Sequence, residues 1–307
     1  MSRSFHTSQK LSVNDTIGIV SSARSITLDE IQDSLNIMTQ WGLKVKLGKT
    51  IGLTHNIFAG TAQQRAADLQ AMFEDPEVDA IWMAKGGYGS VQLLEYIDSS
   101  AFAKASKWLL GYSDITVLLS SLLRQGVACI HSSMPQSLVS KTPESLETIR
   151  TALFDGEVQF SFRPERETTL TQITAPIVGG NLSVIYSLLG SDTFPDTDGC
   201  ILFIEDLDEY VYHIDRMMMN LDRNGLLRNL KGLLVGSFTD IHDNELPYGE
   251  SVHEIIERIA GKYGYPIITG CPVGHIDNNH TLMLGVESTL TQKDGVVMLA
   301  QRTSMIS

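Results

Sequence analysis

The residues most suited to chemistry fall at a few turns. Ser113 lies in Gly111-Tyr112-Ser113-Asp114, after the apolar run Trp108–Leu110 and before a helical segment running through Leu123. A serine there sits at the positive end of the helix dipole, and the N–H of Asp114 behind it is placed to hold an oxyanion. The pattern approaches a nucleophile elbow, but Ile115 stands where GxSxG requires its second glycine. Ser113 or Asp114 also suits a plain helix N-cap.

A second turn, Lys85-Gly86-Gly87-Tyr88-Gly89-Ser90, follows the apolar Val78–Ala84. It is not a P-loop, and Gln92 breaks the dinucleotide fingerprint. Its glycines allow positive φ and close approach of backbone N–H groups to an anion, or simply a tight turn. A serine nucleophile needs a base and an orienting acid. Of the eight histidines, His275 lies in the glycine- and asparagine-rich loop Gly270–Asn279, whereas His6, His55 and His253 lie in polar contexts. Glu205 and Asp206 end the buried-strand run Ile201–Ile204, where a carboxylate can face a cleft. Asp240, His242, Asp243 and Glu245 are dense in ligand types, but the loop reads as solvated, and His253-Glu254 lacks the second histidine of HExxH. No metal and no cofactor is expected.

These residues need a scaffold, and the chain supplies an alternating one. Strand signals at Thr16–Ser21, Leu43–Leu47, Val78–Ala84, Lys107–Gly111 and Val127–His131 alternate with helical periodicity at Ser25–Trp41, Thr61–Phe73, Val91–Ile97 and the segment through Leu123. Alternation of this kind implies crossover connections and a parallel sheet covered on both faces. The polar, threonine-rich stretch 161–176 reads as a linker between an α/β domain at 1–160 and a mixed α/β domain at 177–307. In the second half, Ile201–Ile204 and Gly232–Val235 read as strands, and Asp215–Leu227 and Ser251–Tyr263 as helices. Leu290–Leu299 reads as a hairpin around Lys293-Asp294-Gly295.

The 307 residues suffice for a sizeable core without staples. With 23 basic against 36 acidic residues and no Lys/Arg cluster, nucleic acid is not an expected partner. No apolar run approaches a membrane span, and Met1–Lys10 has no apolar core of a signal peptide. Three widely spaced cysteines, Cys129, Cys200 and Cys271, fit buried thiols in a reducing compartment. The expected location is the cytoplasm.

TIGIVSSA, KGGYGS, GYSDIT, GGNLS, IEDLDEYVYHIDRM and GCPVGHIDNNHTLMLG occur in this order across nearly the whole chain. Together they resemble the LD-carboxypeptidase family, serine peptidases of the muramoyltetrapeptide carboxypeptidase type. The resemblance implies a flavodoxin-like N-terminal domain, a mixed C-terminal domain and a site in the cleft between them. It implies a catalytic triad at Ser113, Glu205 and His275 and an oxyanion hole from the backbone N–H groups of Gly87 and Asp114. Two positions depart from the family pattern: Lys85 stands where arginine is frequent, and no glycine follows His131.

The activity implied is release of the terminal D-alanine from murein tetrapeptides, free or as muramyl or nucleotide conjugates, in peptidoglycan recycling. A possible homodimer is part of the same expectation. A second branch resembles microcin self-immunity peptidases acting on aminoacyl or peptidyl nucleotide compounds. Gly89, where that branch has asparagine, and the 307-residue length favour the first. A non-catalytic nucleotide- or sugar-binding protein using the same glycine turns is a third reading. A chain this acidic needs a local cation for a peptide carboxylate, and Lys85 and Arg216 are candidates.

Overall fold

A computed structural model describes residues 5–303. The first half is β1 (Thr16–Val20), α1 (Leu28–Gln40), β2 (Lys44–Leu47), α2 (Ala62–Glu74), β3 (Ala80–Met83), α3 (Ser99–Ala105), β4 (Trp108–Gly111), α4 (Thr116–Arg124), β5 (Cys129–His131) and α5 (Pro143–Phe154). The second half is β6 (Glu157–Phe162), β7 (Gln172–Asn181), α6 (Leu182–Ser187), β8 (Ile201–Leu207), α7 (Val211–Arg223), β9 (Gly232–Thr239), α8 (Val252–Ala260), β10 (Ile267–Ile268), β11 (Leu282–Leu284), β12 (Glu287–Lys293) and β13 (Val296–Arg302). None of the described helices is long and apolar enough to cross a membrane.

Among the described residues the strands form two sheets. The first has the order β11-β5-β4-β3-β1-β2. Its β2-β1-β3-β4-β5 portion is parallel and matches the flavodoxin-like doubly wound order. β3 and β4 are buried at every position, as strands covered on both faces must be. The second sheet runs β10-β9-β8-β7-β12-β13-β6, parallel through β7 and antiparallel beyond it. The chain is therefore α/β in two parts, as the alternation predicts. The parts interlock, because β11 pairs antiparallel with the edge of β5 in the first sheet.

Local chemistry sets the helix starts. Thr27 with Glu30, Thr61 with Gln64, and Ser251 with Glu254 each form a reciprocal capping box. One large hydrophobic cluster runs through both parts, including Leu110 and Ile130 from the first sheet and Phe203 and Leu234 from the second. A smaller one packs α7 and α8 on the far face of β8 and β9.

Several expectations need correction. The helix read at Val91–Ile97 is only a 3-10 turn over Ser90–Leu93; the helix that follows is α3, N-capped by Asp98. The stretch 161–176 is not wholly a linker: Phe162 ends β6 and residues 172–176 open β7, leaving 163–171 outside any helix or strand. β6 alternates buried Val158, Phe160 and Phe162 with exposed Gln159 and Ser161, the period of a half-buried strand that the surrounding polar residues obscure. α7 begins at Val211, not Asp215, because a left-handed Asp208 (φ 57°) turns the chain straight out of β8. Regular helix in the Ser251–Tyr263 segment stops at Ala260, with a 3-10 turn beyond. α5 carried no expectation at all.

Candidate active site

The elbow is built by backbone strain. β4 ends at Gly111, where a Cβ would lie 2.8 Å from Ile115 Cγ2. Tyr112 is extended (φ −154°, ψ −172°), and Ser113 takes φ 60° before a 3-10 turn leads into α4. A left-handed serine costs on the order of 1–3 kcal/mol, and such strain collects where a side chain must be aimed. Ile115 occupies the N-cap position of α4 and makes no side-chain cap, so Ser113 is not the cap of this helix. Nor is Asp114: its Oδ2 accepts the N–H of Ser90 at 2.9 Å. Burial pushes that carboxyl up, opposed by the hydrogen bonds from Ser90 and the charge of Arg65.

The glycine turn is anchored from beneath. Arg65 is 1% exposed, and its guanidinium donates to the carbonyls of Gly60 (3.2 Å), Gly89 (3.0 Å) and Ser22 and to Gln92 Oε1 (2.6 Å). Ser22 and Ser90 hydroxyls meet at 2.7 Å. Gly86 faces the elbow, since a Cβ there would lie 3.6 Å from Ser113 Cβ. Gly87 has φ 103°, and no hydrogen-bond partner for its N–H occurs among the described residues. The first sheet thus brings Ser113, Asp114 and Gly87 to one place, at the carboxyl ends of neighbouring strands.

The second sheet supplies the carboxylate. Glu205 lies on β8, fully buried, and its Oε2 accepts a hydrogen bond from His275 Nδ1 at 2.7 Å. A carboxylate only accepts, so Nδ1 carries the proton and Nε2 keeps its lone pair. Burial works against charge on His275, but the Glu205 charge and hydrogen bond outweigh it and hold the imidazole above its ordinary value. The imidazole packs on Tyr112, ring centroids 4.7 Å apart, which sets it beside the Ser113 turn. No hydrogen bond joins Ser113 Oγ to the imidazole among the described residues.

The His275 loop is clamped to the first part of the molecule. Lys141 Nζ donates to the carbonyl of Ile276 (2.8 Å), Thr142 Oγ1 to Asn278 Oδ1 (2.8 Å), and Ser145 Oγ to the carbonyl of Asn279 (2.5 Å). Asn279 accepts from Gly274 N–H (2.8 Å) and donates to Ser133 Oγ (3.0 Å). Ser132 and Ser133, which follow His131 in place of a glycine, are fully buried in this junction. His131 is buried between Tyr112 and Phe203, and desolvation lowers it to about 4, so it is a neutral ring that joins the two sheets.

Gly274 leaves no room for a side chain. It has φ 132°, and a Cβ would lie 2.9 Å from Glu205 Oε2. Gly274→Ala is expected to displace His275 and lower kcat/KM by at least about 10²-fold, since misplacement by about 1 Å costs that much. Steady-state kinetics checks the loss, and thermal melting separates it from global destabilisation.

The two cations proposed for a peptide carboxylate are otherwise engaged. Lys85 Nζ pairs with Glu30 Oε1 at 3.3 Å, next to the capping box of α1. The Arg216 guanidinium lies over the Tyr212 ring, 5.4 Å from its centroid. In the acidic loop, His242 pairs with Asp208 (2.6 Å), and Asp243 accepts from the N–H groups of Asn244 and Tyr248. Among the described residues no group of three or more His, Cys, Asp or Glu is arranged to hold a metal ion. All three cysteines are buried.

Sequence reasoning missed Arg65, although it falls on the buried stripe with Leu69 and Met72, where a charged residue signals a built-in role. It also missed the clamp on Asp206, which accepts from Asn181 Nδ2 (2.9 Å) and from the N–H groups of Ser183 (2.8 Å) and Leu207 (2.9 Å). Burial and the neighbouring Glu205 charge push Asp206 up to about 7 against those hydrogen bonds.

Residues 17–132 match the LD-carboxypeptidase N-terminal domain, and residues 174–290 the LD-carboxypeptidase C-terminal domain. The chain is 30% identical over 298 residues to a probable murein peptide carboxypeptidase of Bacillus subtilis, covering 94% of this chain and 92% of the other. It is 28% identical to the murein tetrapeptide carboxypeptidase of Pseudomonas aeruginosa, over 91% and 94% of the two chains. The fold is similar to that of MccF solved with glutamyl sulfamoyl guanosine, with a TM-score of 0.87 and 20% identity, covering 98% of this chain and 100% of the other. Two domain matches in order, and a relative of this identity along nearly the full length, make the chain a member of the LD-carboxypeptidase family.

Proposed function

We propose that the protein is a serine carboxypeptidase that removes the terminal D-alanine from murein tetrapeptides in the cytoplasm, as a step of peptidoglycan recycling. The observation that carries this reading is the buried Glu205 carboxylate on His275 Nδ1 at 2.7 Å, delivered beside the strained Ser113 elbow. In the proposed mechanism Nε2 of His275 takes the proton of Ser113 Oγ as the oxygen attacks the scissile carbonyl. The tetrahedral oxyanion is held by the N–H groups of Gly87 and Asp114. Glu205 keeps the imidazole in the required tautomer and stabilises the imidazolium. The imidazolium then protonates the leaving amine of D-alanine. Water, deprotonated by the same histidine, hydrolyses the acyl-enzyme.

The bond cleaved joins the L-centre of the third residue to D-alanine, an LD bond. A terminal carboxylate one residue beyond the bond fixes the register. A pentapeptide places it about 3.5 Å farther along, which misaligns the carbonyl at Ser113. The tetrapeptide is therefore expected to lose D-alanine at least about 10²-fold faster than the pentapeptide, read by mass spectrometry of both digests. An aminoacyl sulfamoyl adenosine incubated in parallel tests the nucleotide-conjugate reading. Faster turnover of that compound, or equal release from both peptides, overturns the proposal.

A further inference from the structure

We propose that Arg24 is the residue that binds the substrate's terminal carboxylate and so makes the site a carboxypeptidase; this rests on the function proposed above. In the flavodoxin-like order, β1 and β3 flank the switch point where ligands bind, and Arg24 lies just beyond β1 as Gly87 lies just beyond β3. The Arg24 side chain crosses the open face of Gly87: a Cβ at Gly87 would lie 2.7 Å from both Cδ and Nε of Arg24. The missing side chain of Gly87 thus lets the guanidinium reach the edge of the oxyanion site.

The other cations around this turn have partners. Lys85 pairs with Glu30, Arg65 is buried and spent on carbonyls, and Lys141 holds the His275 loop. Arg24 is exposed, and no acceptor for its guanidinium occurs among the described residues. Its fork suits a carboxylate in two-point contact. With the scissile oxygen on the Gly87 N–H, a carboxylate one residue farther on falls about 3.5 Å along the chain, within reach of a side chain lying over Gly87. The residue that receives the carboxylate then lies against the same turn that receives the oxyanion, which couples recognition of the chain end to the position of the bond.

The test compares the tetrapeptide with its C-terminal amide in the wild type, Arg24→Gln, Arg24→Lys and Lys85→Gln. Arg24→Gln is expected to lower kcat/KM on the free acid by about 10- to 100-fold, mainly through KM, as removal of a charge-assisted contact does. Its kcat/KM on the amide stays within about twofold of wild type, which also shows that the variant is folded. Arg24→Lys retains part of the preference, and Lys85→Gln retains all of it. An unchanged acid-to-amide ratio in Arg24→Gln overturns the assignment of Arg24, as does a collapse of the ratio in Lys85→Gln. A wild-type enzyme that cleaves neither peptide overturns the proposed function, and the role of Arg24 with it.

Discussion

Replacing Ser113 with alanine is expected to lower kcat by at least about 10³-fold while leaving the protein folded. The substitution deletes one oxygen that makes no cap to α4, and alanine at φ 60° carries the same backbone strain as serine. The stability change is therefore expected to stay within about 1 kcal/mol, a shift of a few degrees at most in Tm. D-alanine release by the purified variant, with its melting curve, checks both halves of the expectation. Turnover near wild type excludes Ser113 as the nucleophile, whatever the melting curve shows.

Glu205→Gln is expected to lower kcat/KM at neutral pH by about 10²- to 10⁴-fold and to move the acid limb of the pH profile downward. The sign follows from His275. Its imidazole is held above the ordinary histidine value because the Glu205 charge and hydrogen bond outweigh burial. In the proposed mechanism catalysis needs the neutral ring as base, so wild-type activity is expected to rise as the pH climbs through that elevated value. An amide at 205 still accepts from Nδ1 but adds no negative charge. The imidazolium then loses its proton at lower pH, and the deficit of the variant is smallest on the acid side. The amide nitrogen would also take a buried position where Glu205 Oε1 has no partner among the described residues, so some loss of stability accompanies the change. Profiles of kcat/KM against pH for both proteins check this. An inflection that does not move removes Glu205 from electrostatic contact with the base.

Much of this scaffold was legible from periodicity, and the reasons for the gaps are physical. β3 and β4 announce themselves as short apolar runs because both faces are covered. Ser113 and Glu205 could each be marked as a polar residue after an apolar run, and His275 by its glycine- and asparagine-rich loop. The meeting of Glu205 with His275 could not be read from spacing, since it depends on β8 reaching beneath a loop held by another part of the chain. The motif resemblance supplied that pairing. Val91–Ile97 misled because the chain there forms only a 3-10 turn over Ser90–Leu93, whose first backbone N–H is held by Asp114 Oδ2. Lys85 drew attention by its place before the double glycine, yet its charge is used on Glu30. Arg24, which stands in no glycine motif, lies over Gly87 only once β1 and β3 are side by side.

The pairing of β11 with β5 has a consequence during synthesis. β5 is synthesised well before β11, and its outer edge exposes unsatisfied backbone groups until Leu282–Leu284 have been made. The His275 loop lies just upstream of that strand and is clamped to the same region. Completion of the first sheet and delivery of the histidine are therefore one event. A nascent chain can carry a formed elbow and glycine turn and still lack the histidine of the proposed triad, so in the proposed mechanism hydrolytic competence waits until the chain has been made past β11.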